Sequence, residues 1–488
     1  MNSPLRRLAA VCAGLFACLF AASTFVQFVD ADSLNNRPGN ARALYREFGR
    51  PRGPLVVGGN EVALSKPVGR DDPYAYQREY PGDGDELYSH VTGYYSVVFG
   101  ATGMERKVGD LLAGTADQLF YRRLSDLFTG GQQQGATVEL TINDRAQRAA
   151  WKALGNQRGA VVALDPRTGE ILAMVSKPAF DPNVLASHDA DALSKARQKL
   201  LDDPARPLEN RAIAGRLYPP GSVYKLVTAA AALSSGRYTP EGLVPGPRVL
   251  DLPQTNVGLP NNNGQPCGPN DRVSLTDALR ISCNTAFGAI GLDLGDAALR
   301  EQSERFGFGR ALSVPLDVTP STFPASPSPP QVAQSAIGQF DVRVSPLQIA
   351  MVSAGIANDG IVMQPNLVRV VRSADLGVVS RPGTTELGRA IEPQVAEQLT
   401  AMMEAVVDDG TGTRARIPGV RVAGKTGTAQ QGAGRSPHAW FTAFAPADDP
   451  KVAVAVVVED GGRLGDETSG GRAAAPVARA VIEAVLNR

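Results

Sequence analysis

Residues 8–29 form an unbroken run of 22 uncharged, mostly apolar side chains, and Arg6 and Arg7 stand just before it. As an α-helix this run rises ~33 Å, enough to cross a hydrocarbon core of ~30 Å. A cleaved signal peptide has a shorter apolar region and a small-x-small cleavage site, and no convincing one precedes Asp30. The run therefore reads as an uncleaved signal-anchor. Its arginines are expected to stay in the cytoplasm, which leaves the rest of the chain outside. No later stretch is long and apolar enough to span, so the expectation is a single-pass cell-membrane protein with an exported body.

Among 488 residues, 49 basic side chains balance 49 acidic ones. Zero net charge argues against a nucleic-acid partner, which a basic excess would advertise. A hydrophobic share of 43% with 20% charged residues fits a folded chain of about two or three domains. Cys12 and Cys18 fall within the anchor, leaving Cys267 and Cys283 on the oxidising side. A bridge between these two would close a loop of ~15 residues and contribute about 3 kcal/mol. Two buried thiols are the alternative, and the sequence leaves both open.

Residues 31–136 are rich in Gly, Arg and Tyr, with short strand-like runs such as 54–57 and no concentrated reactive cluster. A helix ending near Phe128 and a Gly-Gln tract at 130–135 read as the linker to a downstream domain. Beyond it, 138–142 reads as a strand and 144–154 as a helix. Segments 159–164 and 170–176 flank the turn Asp165-Pro166-Arg167-Thr168-Gly169 and predict a β-hairpin. Further strands are expected at 419–423, 439–445 and 452–459, and a closing amphipathic helix at 473–486. The intervening pattern is helical, broken by a Pro/Ser-rich loop at 319–330. Strands from both ends with helices between them predict an α+β domain over 137–488, an N-terminal module over 31–136 and the anchor over 1–30.

Lysine is rare: nine lysines stand against forty arginines, and only Lys225, Lys425 and Lys451 occur after residue 200. In Tyr218-Pro219-Pro220-Gly221-Ser222-Val223-Tyr224-Lys225, the Pro-Pro-Gly stops any preceding helix and the apolar run after it starts another. Ser222 and Lys225 are three residues apart and so share one helical face. An isolated S-x-x-K is more often a capping serine beside a surface lysine. Here the helix is apolar nearly all round and reads as buried. Burial and a first-turn position against the helix dipole both disfavour the ammonium, which makes Lys225 a plausible neutral base. Two further elements are Ser282-Cys283-Asn284, between two expected helices, and Lys425-Thr426-Gly427-Thr428, after the expected strand at 419–423. Either alone is weak, since Ser-x-Asn is a common turn sequence.

In that order, S-x-x-K, S-x-N and K-T-G form the signature of penicillin-binding proteins and serine β-lactamases. With its anchor and upstream segment the chain resembles the class B, monofunctional penicillin-binding proteins, closest to their actinobacterial A subtype. The resemblance covers nearly the whole exported region. It includes Arg78-Glu79-Tyr80-Pro81, Gly103-Met104-Glu105, Leu140-Thr141-Ile142, Phe180-Asp181-Pro182-Asn183, Ile337-Gly338-Gln339, Ser345-Pro346-Leu347-Gln348 and Asn358-Asp359-Gly360. It implies a transpeptidase domain made of an antiparallel sheet flanked by helices plus a helical subdomain, behind a smaller dimerisation or pedestal module.

The resemblance also implies roles. Ser222 is the expected nucleophile and Lys225 takes its proton; the backbone N–H groups of Ser222 and Thr428 form the oxyanion hole. Ser282 relays a proton to the leaving amine, Asn284 bonds the substrate amide and Lys425 supplies positive potential. The hydroxyls of Thr426 and Thr428 bind the substrate carboxylate, and Gly427 lets the substrate backbone lie along the strand. The implied activity is a D,D-transpeptidase that cross-links peptidoglycan stem peptides, serves cell-wall synthesis in division or cell shape, and is acylated by β-lactams. A membrane glycan polymerase is an implied partner.

No metal or cofactor is expected, because His90, His188 and His438 are widely spaced. A β-lactamase would need a deacylating base, and no E-x-x-L-N segment lies between Asn284 and Lys425. A D,D-carboxypeptidase, or a non-catalytic β-lactam sensor or polymerase scaffold, are the alternatives.

Overall fold

A computed structural model of the chain describes residues 3–35, 41–69, 71–82, 86–119, 134–312, 314–432 and 434–487. The helix expected near Phe128 and nearly all of the 130–135 tract lie outside the described residues. The apolar run forms a helix over Ser3–Thr24 that continues as a π-turn over Phe25–Val29. None of its side chains is buried in the protein, and by length and composition it is able to cross a membrane.

A five-stranded antiparallel sheet is the scaffold of the larger part. Its order is Ala423–Ala429, His438–Ala445, Val452–Val458, Gly159–Leu164 and Ile171–Lys177. Side chains alternate between the faces of a strand. In Val452–Val458, Val454 and Val456 join the core under one face, whereas Ala453, Ala455 and Val457 join the core under the other. Both faces are apolar because both are covered. Helices Asp144–Leu154 and Ala475–Val485 pack on the first. The second receives Pro346–Ala357, a helix buried in all but its last residue. Ser345 caps that helix by accepting from Gln348 N at 3.2 Å, and Pro346 occupies its first position, where the missing N–H costs nothing. Beyond it lies the helical subdomain, including Lys225–Ser234, Asn284–Arg305, Pro329–Ala336 and Pro393–Asp409.

Two local expectations need correction. The strand expected at 419–423 runs instead over Ala423–Ala429, so the K-T-G motif lies inside the strand. Glycine within this strand marks close approach. A Cβ at Gly424 would sit 2.8 Å from the Phe441 ring. The Pro/Ser loop also ends earlier than expected, because Pro329 and Pro330 open the Pro329–Ala336 helix inside a capping box of Ser328 and Gln331.

A second sheet has the order Val378–Ser380, Val368–Arg372, Thr137–Leu140, Leu55–Val57, Asn60–Pro67 and Tyr76–Glu79. Thr137–Leu140 pairs parallel with Leu55–Val57 on one side and antiparallel with Val368–Arg372 on the other. The sheet therefore runs across the boundary expected at 136/137. The landmark segments near Tyr80 and Asn183 meet across the same boundary. Asn183 Oδ1 accepts from Tyr80 N at 2.9 Å, and Asn183 Nδ2 donates to Tyr80 O at 3.0 Å.

Within the N-terminal module Glu105 is fully buried between Arg52 Nε at 2.7 Å and Arg78 Nε at 2.6 Å. Burial alone would raise the carboxyl pKa, but the two guanidinium groups hold it below its ordinary value. Glu105→Gln would leave two buried cations short of their counter-charge, an arrangement that costs about 3–5 kcal/mol. Thermal unfolding of this variant should show a lowered Tm. Because the ion pairs lie outside the catalytic cavity, protein that remains folded should keep its reactivity toward penicillin.

Candidate active site

Three stretches distant in sequence converge beside the edge strand of the five-stranded sheet. The first is held from several sides. Tyr218 N donates to Val344 O at 2.9 Å and Val344 N donates back to Tyr218 O at 2.8 Å. Trp440 Nε1 donates to Pro219 O at 3.1 Å. Gly221, at φ +55°, donates to Gly338 O at 2.9 Å, and a Cβ at Gly338 would sit 2.1 Å from Gly221 O. The Ile337-Gly338-Gln339 landmark is thus a backbone cradle for the serine turn. Ser222 lies in a 3-10 turn over Gly221–Tyr224, and the α-helix proper begins at Lys225.

Lys225 and Lys425 are both fully buried, and both reach Ser282. Lys225 Nζ lies 2.8 Å from Ser282 O, 2.7 Å from Asn284 Oδ1 and 3.3 Å from Ser282 Oγ. Lys425 Nζ donates to Ser282 Oγ at 2.9 Å and to Thr426 O at 3.0 Å. Removal from water pushes the Lys225 ammonium well below its ordinary pKa of 10.5, and the facing charge of Lys425 pushes it further. Burial lowers Lys425 to about 7. A neutral Lys225 has two N–H groups and one lone pair. The two short contacts are matched by the N–H groups, which leaves the lone pair free to accept from a hydroxyl. No hydrogen bond joins Ser222 Oγ to Lys225 Nζ in this structure; in substrate-free enzymes such bonds are often long and tighten on binding.

Ser282 sits at φ +63° between the helices Leu275–Arg280 and Asn284–Arg305, turning its carbonyl and hydroxyl toward the lysines. Cys283 is bonded to Cys267, with their Cα atoms 6.0 Å apart. Asn284 Nδ2 donates to Asn262 Oδ1 at 3.1 Å and lies 3.4 Å from Pro260 O.

The edge strand supplies the remaining wall. Lys425 lies opposite Thr442 in the register and points toward Ser282. Thr426, next along the strand, turns its hydroxyl to Thr411 Oγ1 at 2.6 Å, while Thr428 opens on the cavity with Ser222. Gly427 has a reason that the sequence does not reveal: a Cβ there would lie 2.9 Å from Trp440 Cβ and 3.0 Å from Pro220 O. Its missing side chain lets the strand close on the serine turn.

The cavity measures about 680 Å³, and Ser222, Asn284 and Thr428 line it. Asn262, Gln339 and Gln430 also reach it, and no motif reading singled out their roles. The buried carboxylate of Glu459 was missed as well. It accepts from Tyr218 OH at 2.7 Å and from Arg211 Nε at 2.8 Å, tying the serine segment to the end of the Val452–Val458 strand. These residues are spread through the sequence, and only the folded register collects them. None of the three histidines is hydrogen-bonded to Ser222; His90 meets Pro207 O, His188 meets Asp72, and His438 meets Gln431 and Asp460 N.

Comparison with known proteins gives concordant results. Residues 159–483 match the penicillin binding protein transpeptidase domain, and residues 52–138 match the penicillin binding protein A dimerisation domain. The peptidoglycan D,D-transpeptidase PbpA of Mycolicibacterium smegmatis is 45% identical, with 100% of this chain and 99% of that protein covered. The protein of the same description from Mycobacterium tuberculosis is 43% identical, with the same coverage of both chains. The structure of penicillin-binding protein A from M. tuberculosis as a ceftriaxone acyl-enzyme superposes with a TM-score of 0.86 at 44% identity, covering 90% of this chain and 99% of that one. Its penicillin G acyl-enzyme gives 0.84 at 43%, covering 90% and 100%. With a buried lysine pair around the S-x-N serine and relatives matched end to end, the chain belongs to the penicillin-binding protein transpeptidases.

Proposed function

We propose that this chain is a membrane-anchored peptidoglycan D,D-transpeptidase that works through an acyl-enzyme on Ser222. The observation that carries the reading is the Ser282 hydroxyl shared by two buried lysines, with Asn284 of the same motif lining the cavity that holds Ser222. The donor is a stem peptide ending in D-Ala-D-Ala. Neutral Lys225 removes the Ser222 proton as Oγ bonds to the penultimate D-Ala carbonyl carbon. The N–H groups of Ser222 and Thr428 hold the developing oxyanion. The C–N bond then breaks, and a proton passes through Ser282 to the departing D-alanine. An amine on a second stem attacks the ester, forms the cross-link and frees Ser222.

Asn284 orients the donor amide. Lys425 and the Thr428 hydroxyl receive the terminal carboxylate, and Thr426 supports the strand through Thr411. A β-lactam enters as a mimic of the donor, and its opened ring stays on Ser222, because among the described residues no carboxylate lines the cavity to activate a hydrolytic water. Arg6 and Arg7 hold the N-terminus in the cytoplasm, so the cavity faces the wall, where a membrane glycan polymerase of the division or elongation machinery supplies new strands.

Incubation of the full chain with a fluorescent penicillin, followed by mass and gel fluorescence, should show one long-lived adduct that Ser222→Ala lacks. Rapid loss of the adduct, or an adduct on Ser222→Ala, would contradict the reading. With a D-Ala-D-Ala donor and an added amine, the product should be the cross-linked amide; hydrolysis alone would mark a carboxypeptidase.

Because the neutral form of Lys225 is the reactive one, acylation should slow as pH falls through its depressed pKa, with a midpoint well below 10.5. Lys225→Met should lower the acylation rate by about 10²–10⁴-fold above the Lys225 pKa and abolish that limb. Thr428→Val should slow acylation by about tenfold or more, since it removes a hydroxyl that receives the donor's carboxylate, whereas Thr426→Val should change it far less.

A further inference from the structure

We propose that Asn261 is the positioning residue of the S-x-N motif: its buried carboxamide fixes the start of the Asn284–Arg305 helix and so sets the Asn284 side chain against Lys225. The inference rests on the roles given above to Asn284 and Lys225 and adds a residue that touches neither substrate nor Ser222.

A helix leaves its first four N–H groups without intrahelical acceptors. Here the cap comes largely from a distant loop. Asn261 Oδ1 accepts from Asn284 N at 3.0 Å and from Thr285 N at 3.1 Å. Ala286 N is directed at Cys283 Sγ at 3.3 Å. The other end of the Asn261 amide is held as firmly. Nδ2 lies 3.0 Å from Pro247 O, 2.9 Å from Gln265 O and 3.1 Å from Thr285 Oγ1. Two backbone carbonyls face Nδ2 and two backbone N–H groups face Oδ1, so the amide has only one satisfied orientation. The side chain is buried, with the residue 6% exposed.

The neighbouring residues clamp the other end of Asn284. Pro260 O and Asn262 Oδ1 face its Nδ2. With its backbone amide held by Asn261 and its Nδ2 held by this loop, Asn284 presents Oδ1 to Lys225 Nζ at 2.7 Å. The groups facing that Nζ are Ser282, Asn284, Lys425 and the ring of Phe287. A displaced Asn284 therefore removes one of the few acceptors that favour the protonated amine.

The test uses the full chain, as wild type, Asn261→Ala and Asn261→Asp. Fluorescent-penicillin acylation is measured against pH and expressed per titrated active site. Thiol counts confirm that the Cys267–Cys283 bridge is intact in each protein. Asn261→Ala should acylate about 10–100-fold more slowly per site, with its acid limb moved to lower pH by about half a unit or more. Asn261→Asp keeps the acceptor for the two helix amides and, as the protonated acid that burial and the facing carbonyls of Pro247 and Gln265 favour, donates to one of them, so it should recover much of the rate. Should the alanine variant fail to fold, Asn261→Ser carries the same comparison. A wild-type rate and limb per active site in the alanine or serine variant, even with a lowered Tm, would overturn the proposal and leave Asn261 a purely structural residue. Equal slowness of the aspartate and alanine variants would overturn the claim that capping by Oδ1 does the positioning. If the wild type itself is not acylated, the functional reading fails instead, and the two failures are distinct.

Discussion

Two lysine amines are held where water does not reach them, with one serine hydroxyl between them. Placing a cation in such a site is expensive, and a second cation nearby raises the cost. Burial and the facing Lys425 hold the Lys225 pKa well below 10.5, and the proposed mechanism uses that shift to make it a base. A partly solvated Lys225, by contrast, would keep its proton near neutral pH and leave Ser222 an ordinary alcohol.

The rest of the structure can be understood as bringing those amines together and keeping water out. The sheet places Lys425 on an edge strand, facing the helical subdomain. Close approach of that strand to the serine turn requires Gly427 on the strand and Gly221 on the turn, where a Cβ would meet Thr428 O, with Gly338 behind the turn against Gly221 O. The long Asn284–Arg305 helix begins beside Lys225, and its first turn carries the third group. Loop 260–262 and the Cys267–Cys283 bridge tie that turn in place. Rigidity here supports function, because a misplacement of about 1 Å in such a cluster can cost about a hundredfold in rate.

Much of this was legible before any coordinates. The order of S-x-x-K, S-x-N and K-T-G, the apolar surroundings of Lys225 and the scarcity of lysine all point to one site. The strands of the hairpin at 159–177 fall close to where the sequence places them, because short apolar runs bounded by turn residues mark strands buried on both faces. The features that stayed hidden depend on register. Gly427 looked like a provision for substrate, yet its nearest constraint is the back of the serine turn. Thr426 and Thr428 looked equivalent, but they differ in their surroundings, and only Thr428 reaches the cavity. Asn261 carried no motif at all, and its importance comes from two amides more than twenty residues away. The shared sheet that joins the N-terminal module to the catalytic part could not be read either, since Thr137–Leu140 pairs with strands from both.

The central claim concerns the charge on a single amine, and that charge can be observed directly. With ¹³C-labelled lysine in the full chain, nine side chains give few enough Cε signals to follow against pH, and Lys225→Arg identifies the one that matters. The account predicts that the Lys225 signal titrates well below 10.5. A Lys225 signal that titrates near the ordinary lysine value of 10.5 would contradict it.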